Sequence, residues 1–345
     1  MQTEITQTTP LLDEQGELVQ VGWARHPLLE CNLEKVAFYP KALRALQFAR
    51  VKRWDYYAIF TPQRFFSATI ADLGYAGNVF VYTLDFESNT LHEEGLVIPL
   101  GHGVTLSRQT VGVCEYGGQG VRLRFETSPQ ARQIAVDWPA FHDGRGIRAE
   151  ISLALPLQQE SMNIVIPIPG KRFYYNHKIN CLPASGTLRY GEIEEQLEPG
   201  SSLGQLDWGR GVWEYSSFWN WASASGYLPD GRRVGLNLGC GFGDTSAATE
   251  NALLLEGRVH KLDQVTFEYE PKDTMAPWKF RDNHGRLALD FVPFKERLAT
   301  TRLLVIDSEV HQMFGRYHGN VTTDSGEQIQ LDGLIGFAEE HHARW

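Results

Sequence analysis

The sequence predicts an all-β fold of antiparallel strands with few short helices, and three observations carry that prediction. Apolar and polar residues alternate in repeated short runs. Glycine- and asparagine-rich turn signals separate the runs. Convincing helical periodicity is scarce. Aromatic residues make up 12% of the 345 residues, with nine Trp, thirteen Tyr and eighteen Phe, and large aromatic side chains suit pleated, half-buried surfaces.

Taken along the chain, the best helix candidate is 40–48, Pro-Lys-Ala-Leu-Arg-Ala-Leu-Gln-Phe, with proline where a helix start tolerates it. The run 79–86 reads Val-Phe-Val-Tyr-Thr-Leu-Asp-Phe, and 122–127, 148–153, 265–270 and 287–291 alternate strictly. Such alternation sends one kind of side chain inward and the other to solvent. Turn chemistry stands at 85–89, 117–120, Asp143-Gly144, 229–231, 282–285 and 324–326. The segment 247–255 fits a short helix or a strand equally. Proline-rich turns at Pro156, Pro167 and Pro169 suggest a boundary, dividing the chain into 1–170 and 171–345.

Composition excludes several functions. The formal charge is −10, from 32 basic and 42 acidic residues, whereas a nucleic-acid binder needs a basic surface to neutralise phosphate. The N-terminus has no signal-peptide pattern, and no apolar run approaches the roughly 20 residues that span a bilayer. Cys31, Cys114, Cys181 and Cys240 are widely spaced, with no Cys-x-x-Cys pair. A cytoplasmic protein with reduced thiols is expected. No His-Glu-x-x-His or mixed Cys/His pattern points to a metal, and no Gly-x-Ser-x-Gly elbow points to a serine hydrolase.

The candidate chemistry lies in the second half. Trp208, Trp213, Trp219 and Trp221 fall within fourteen residues. Trp219 and Trp221 share a face if they lie on a strand, and indole faces can line a ligand pocket and stabilise a cation, or simply fill a barrel core. Asp207 and Arg210 bracket Trp208 and Gly209. A carboxylate among indoles is desolvated and raised toward the range useful for proton transfer. Alternatively Asp207 pairs with Arg210 to staple a loop, which is the preferred reading. Glu250 follows the glycine run 239–243; that run lacks the Gly-Lys-Ser/Thr ending of a phosphate loop, and a close strand crossing explains its glycines as well. Glu250 is a second candidate acid or base.

A series of motifs carries a family resemblance. It comprises Asn176-His177-Lys178-Ile-Asn180, Asp207-Trp208-Gly209-Arg210-Gly211, Trp219-Asn220-Trp221, Thr249-Glu250-Asn251, Pro277-Trp278, His311-Gln312 and Gly336-Phe337, with Gly22-Trp23 and Lys52-Arg53-Trp54-Asp55-Tyr56 ahead of them. In this order they resemble the bacterial family named domain of unknown function 2804 over nearly the whole chain. More remotely the chain is similar to lipocalin-like carotenoid hydratases and tocopherol cyclases. That resemblance implies two calycin-type β barrels side by side, with an apolar ligand at a barrel mouth or between the barrels. It also draws His311, His177, Asn180 and Trp278 into the candidate set, although a lone histidine beside a strand is usually structural. The expected function is binding of an apolar lipid or isoprenoid-like molecule. Cofactor-independent hydration, cyclisation or isomerisation is expected to accompany binding if Asp207, Glu250 or His311 acts as acid or base. A non-catalytic lipid binder and a carbohydrate-active protein are the alternatives, the last requiring two carboxylates across one cleft.

Overall fold

The computed structural model describes residues 2–303 and 306–344. The fold is all-β, as two curled antiparallel half-barrel sheets packed side by side. In the first sheet the strands run in the spatial order Thr90–Pro99, Ala76–Asp85, Arg64–Asp72, Lys52–Phe60, Leu203–Val212, Arg172–Tyr190, Ile147–Ala154, Ala131–Trp138, Val121–Thr127, Gly112–Gly118 and Val104–Thr105. The second sheet runs Arg258–Lys261, Ala252–Leu255, Arg233–Cys240, Ser216–Tyr227, Gln328–Arg344, Ile306–Thr322, Leu287–Leu303, Trp278–Asp282 and Val265–Glu268. The ambiguous segment 247–255 is resolved as a loop entering the strand Ala252–Leu255. No helix among the described residues is long and apolar enough to cross a membrane.

The expected boundary at residue 170 falls within the hairpin that joins Met162–Ile168 to Arg172–Tyr190, both in the first sheet. The strand Leu203–Val212 also belongs to that sheet, between Arg172–Tyr190 and Lys52–Phe60. The chain passes to the second sheet at residues 213–215. Pro167 and Pro169 mark this hairpin, because proline cannot donate to a ladder and so collects at strand ends, and Pro156 lies in the loop before Met162–Ile168.

Side-chain parity then decides what each strand residue faces. Curling brings Tyr57 against Phe125, ring centroids 4.9 Å apart, and the first core fills with Ile59, Phe66, Val79, Val81, Leu123 and Trp208. The second sheet closes in the same way over Leu236, Leu253, Phe280, Phe291, Met313 and Tyr317. The residues of opposite parity point out of each half-barrel and meet one another. Tyr56, Phe60, Phe65 and Tyr82 of the first sheet pack against Trp221, Phe314 and Phe337 of the second, with Phe65 and Phe314 at 4.8 Å. Buried polar side chains add ties across the seam, as where Asn180 Nδ2 donates to Ser223 Oγ at 2.9 Å.

Candidate functional site between the two sheets

The facing outer surfaces do not meet everywhere. Between them lies a cavity of about 740 Å³, within the usual range of small-molecule sites. A cross-strand row of Tyr56, Asp207 and Lys178 forms part of its wall, since Tyr56 pairs with Asp207 and Asp207 with Lys178 in neighbouring strands. Lys178 Nζ stands 3.1 Å from Asp207 Oδ2 and 3.8 Å from Glu250 Oε2. Asn176, two residues before Lys178 on the same face, donates to Asp207 Oδ1 at 2.5 Å. The Lys178 ammonium also lies 4.0 Å from the Trp221 ring centroid, a cation–π contact strengthened by burial.

Glu250 reaches this row from the second sheet. Trp221 Nε1 donates to Asn237 Oδ1 at 2.9 Å, and Asn237 Nδ2 donates to the Glu250 carbonyl at 2.7 Å, so the same tryptophan that lines the cavity fixes the acid's backbone. The absence of a side chain at Gly239 makes room for the carboxyl group, for a Cβ there would overlap it. Gly209 serves the Trp54 indole in the same manner. Glu250 is 3% exposed and its Oε2 has no hydrogen-bond partner. Burial pushes its carboxyl pKa up, Lys178 opposes that, and the Asp207 charge adds to the rise. One ammonium thus serves two carboxyls, which favours a proton on the more buried one.

Aromatic rings form the rest of the chamber. Trp54 and Trp213 stand 5.1 Å apart, Tyr174 and Trp213 5.4 Å, and Tyr174 and Phe242 4.9 Å. Trp219 follows Phe242 and lies over His341 at 4.0 Å. On another side the Tyr56 and Tyr82 hydroxyls are 2.9 Å apart, Tyr82 donates to Gln312 Oε1 at 2.9 Å, and Gln312 Nε2 donates to Glu339 Oε2 at 3.3 Å. Because Tyr82 has a single proton and gives it to Gln312, the Tyr56 hydroxyl donates to Tyr82. Arg297 closes that side with a bond from Nε to Glu93 at 2.9 Å.

Of the residues singled out in the sequence, Asp207, Glu250, Trp213, Trp219 and Trp221 line this cavity. The others lie elsewhere. The expected pairing of Asp207 with Arg210 does not form: an offset of three in a strand puts the two on opposite faces. Arg210 instead donates to Asp55 at 2.8 Å and covers Trp208 at 4.2 Å, inside the first core. His177 likewise turns away from Lys178, toward Ser161 Oγ at 3.0 Å, and burial pushes its pKa well below the usual range. His311 sits outside the cavity, bonded to Glu296 at 2.7 Å, while its neighbour Gln312 faces in. Asn180 ties the two sheets together, and Trp278 stacks on Tyr269 at 3.8 Å in the second core. No group of three His, Cys, Asp or Glu that could hold a metal occurs among the described residues.

Lys178, Trp54, Tyr56 and Gln312 stand in the family motifs but not among the candidate site residues, and Tyr82, Tyr174, Phe242 and Glu339 are likewise absent from that set. A signal for Lys178 existed, since Asn176, Lys178 and Asn180 repeat at the strand period beside Tyr175 and Ile179. The other lining residues left none, because the pairing of distant strands within the first sheet brings Trp54, Tyr56, Tyr82 and Tyr174 near, and the packing of the second sheet brings Phe242, Gln312 and Glu339.

Residues 2–345 match the family described as Domain of unknown function (DUF2804). The chain belongs to this family. No curated protein matches this DUF2804 member. Among solved structures it is similar to CghA, at 12% identity over 84% of this chain and 87% of that one, with a TM-score of 0.55. It is also similar to CghA with Sch210972, at 12% identity over 85% and 88% with a TM-score of 0.51. Kievitone hydratase from Nectria haematococca is 12% identical over 85% and 88%, with a TM-score of 0.43. At such identity the CghA likeness shows a shared fold, and it spans both sheets.

Proposed function

We propose that this DUF2804 protein binds an apolar small molecule between its two half-barrels and transfers a proton to it from Glu250. The observation that carries this reading is a buried carboxyl in the wall of an aromatic-lined chamber, its pKa raised by burial and its Oε2 without a hydrogen-bond partner. A carboxyl whose pKa is raised is a better general acid near neutrality, an effect worth about 10²–10⁴-fold in rate. The faces of Trp219, Trp221 and Tyr174 would stabilise positive charge developing on the ligand. Asp207, held by Lys178 and Asn176, would supply the balancing carboxylate. Hydration, cyclisation or isomerisation each follow this first step, and none of them calls on a cofactor. The fold shared with CghA, whose structure is also known with Sch210972, supports a small-molecule site.

A sugar-cleaving role fits less well. There the space between two carboxyls must admit the anomeric carbon and its attacking group, whereas here the Lys178 ammonium lies between Asp207 and Glu250.

Deuterium labelling separates catalysis from simple storage. Protein loaded with an extract of apolar metabolites and held in heavy water should return molecules carrying carbon-bound deuterium, and Glu250→Gln should return the same molecules unlabelled. Bound molecules that stay unlabelled with the wild-type protein would make this a carrier instead of an enzyme.

A further inference from the structure

The helical stretch Lys41–Leu43, Arg44–Gln47 and Phe48–Arg50 has its polarity turned inside out. A surface helix normally points its apolar stripe at the core. Here the buried residue is Gln47, which donates to the Val36 carbonyl and accepts from the Tyr39 amide. Leu43, Leu46 and Phe48 face solvent at 49%, 62% and 50% exposure. From residue 36 to 51 the chain carries Lys41, Arg44 and Arg50 and no acidic residue, in a protein of net charge −10.

This stretch sits on the rim of the inter-sheet cavity. Its Phe48 and Ala49 backbone packs against Gly74, where a side chain would collide with it. Arg50 donates to the Trp213 carbonyl at 3.3 Å, and both Trp213 and Leu73 line the chamber. The next turn extends the apolar rim, because Leu100 donates its amide to the Tyr75 carbonyl at 3.0 Å and is itself 74% exposed. Val97, half exposed, leads from there into the cavity.

We propose that this rim docks on an anionic lipid surface, with Leu43, Leu46 and Phe48 entering the interface and Lys41 and Arg44 meeting lipid phosphates. Apolar insertion next to basic charge is what interfacial helices use. A local basic segment on an otherwise acidic protein orients that face toward the membrane and turns the rest away. The role of the docking, transfer of an apolar molecule from bilayer to chamber, rests on the function proposed above; the docking itself does not.

Co-sedimentation of the full chain with vesicles tests it. The protein should pellet with mixed phosphatidylcholine–phosphatidylglycerol vesicles, less so as salt is raised. The double change Leu46→Ser with Phe48→Ser should weaken binding at least about ten-fold. Lys41→Ala with Arg44→Ala should weaken it about ten-fold on the anionic vesicles and leave phosphatidylcholine alone unaffected. All four side chains are exposed, so melting temperatures should not move. Glu250→Gln should pellet like the wild type, which keeps this test separate from the chemistry of the cavity. A wild-type protein that stays in the supernatant, or a double serine variant that pellets equally well, overturns the proposal. So does a lipid-independent dimer, seen by sedimentation velocity and abolished by the serine changes, since the patch would then belong to a second copy of the chain.

Discussion

Gly239 and Glu250 share one volume: any side chain on the glycine would occupy the place of the glutamate's carboxyl group. Gly239→Ala should therefore force Glu250 off its position. Overpacking of this kind costs about 1–3 kcal/mol, readable as a lower midpoint in urea denaturation. Ligand-dependent quenching of the cavity tryptophans should fall with it. An alanine variant with unaltered stability and ligand response would mean that the carboxyl is not held there.

Lys178 is the ammonium that both Asp207 and Glu250 approach. Lys178→Met should leave two buried carboxyls without a counter-charge, which destabilises by about 3–5 kcal/mol near neutral pH. The loss should shrink on acidification, as protonation removes the repulsion. Urea titrations at pH 5 and pH 8 would show it, and an equal loss at both would argue against a carboxyl pair.

Glu250 makes a pH prediction of its own. Its folded pKa is raised by burial, so the stability it contributes is complete below the unfolded carboxylate value of about 4.3 and drains away as pH climbs through the folded value. Glu250→Gln has no such charge to bury. Its stability relative to the wild type should improve steadily as pH rises from about 4, and a gap independent of pH would show that Glu250 is ionised at no unusual cost.

His311 serves as the contrasting case. Burial works against its charged form, yet bonds to Glu296 and Glu309 outweigh that and lift its pKa. The stability it adds is full below about 6.5 and fades as pH rises through the raised value. His311→Gln should thus be destabilised in acid and close to wild type in alkali, with ligand binding intact. Loss of ligand binding would bring His311 back to the site.

These residues also show what could be read in the sequence. Alternation and turns fixed the all-β class because period-two patterning is local. Asp207 and Glu250 stood out as polar insertions in aromatic sequence. What could not be read was parity across a pair of sheets. Trp208 and Trp213 looked equivalent in the text, yet one fills a half-barrel and the other lines the gap outside it. The likeness of Asp207 and Arg210 to a salt bridge failed for the same reason, and Asp55, the true partner of Arg210, lies 155 positions away. Gly239 and Gly209 were visible as glycines, but the side chains they make room for come from a loop and from a distant strand.

The chamber between the sheets should hold an apolar molecule. Ala71 lines it and is almost fully buried, so Ala71→Trp should fill part of it without touching the acids. Native mass spectrometry of wild type and variant, each purified from the producing cells without detergent, tests this most directly. The wild-type protein should carry an extra mass that extracts into organic solvent, and the folded variant should carry little or none. A wild-type protein of bare polypeptide mass, or a variant that retains the same cargo in the same amount, would contradict it.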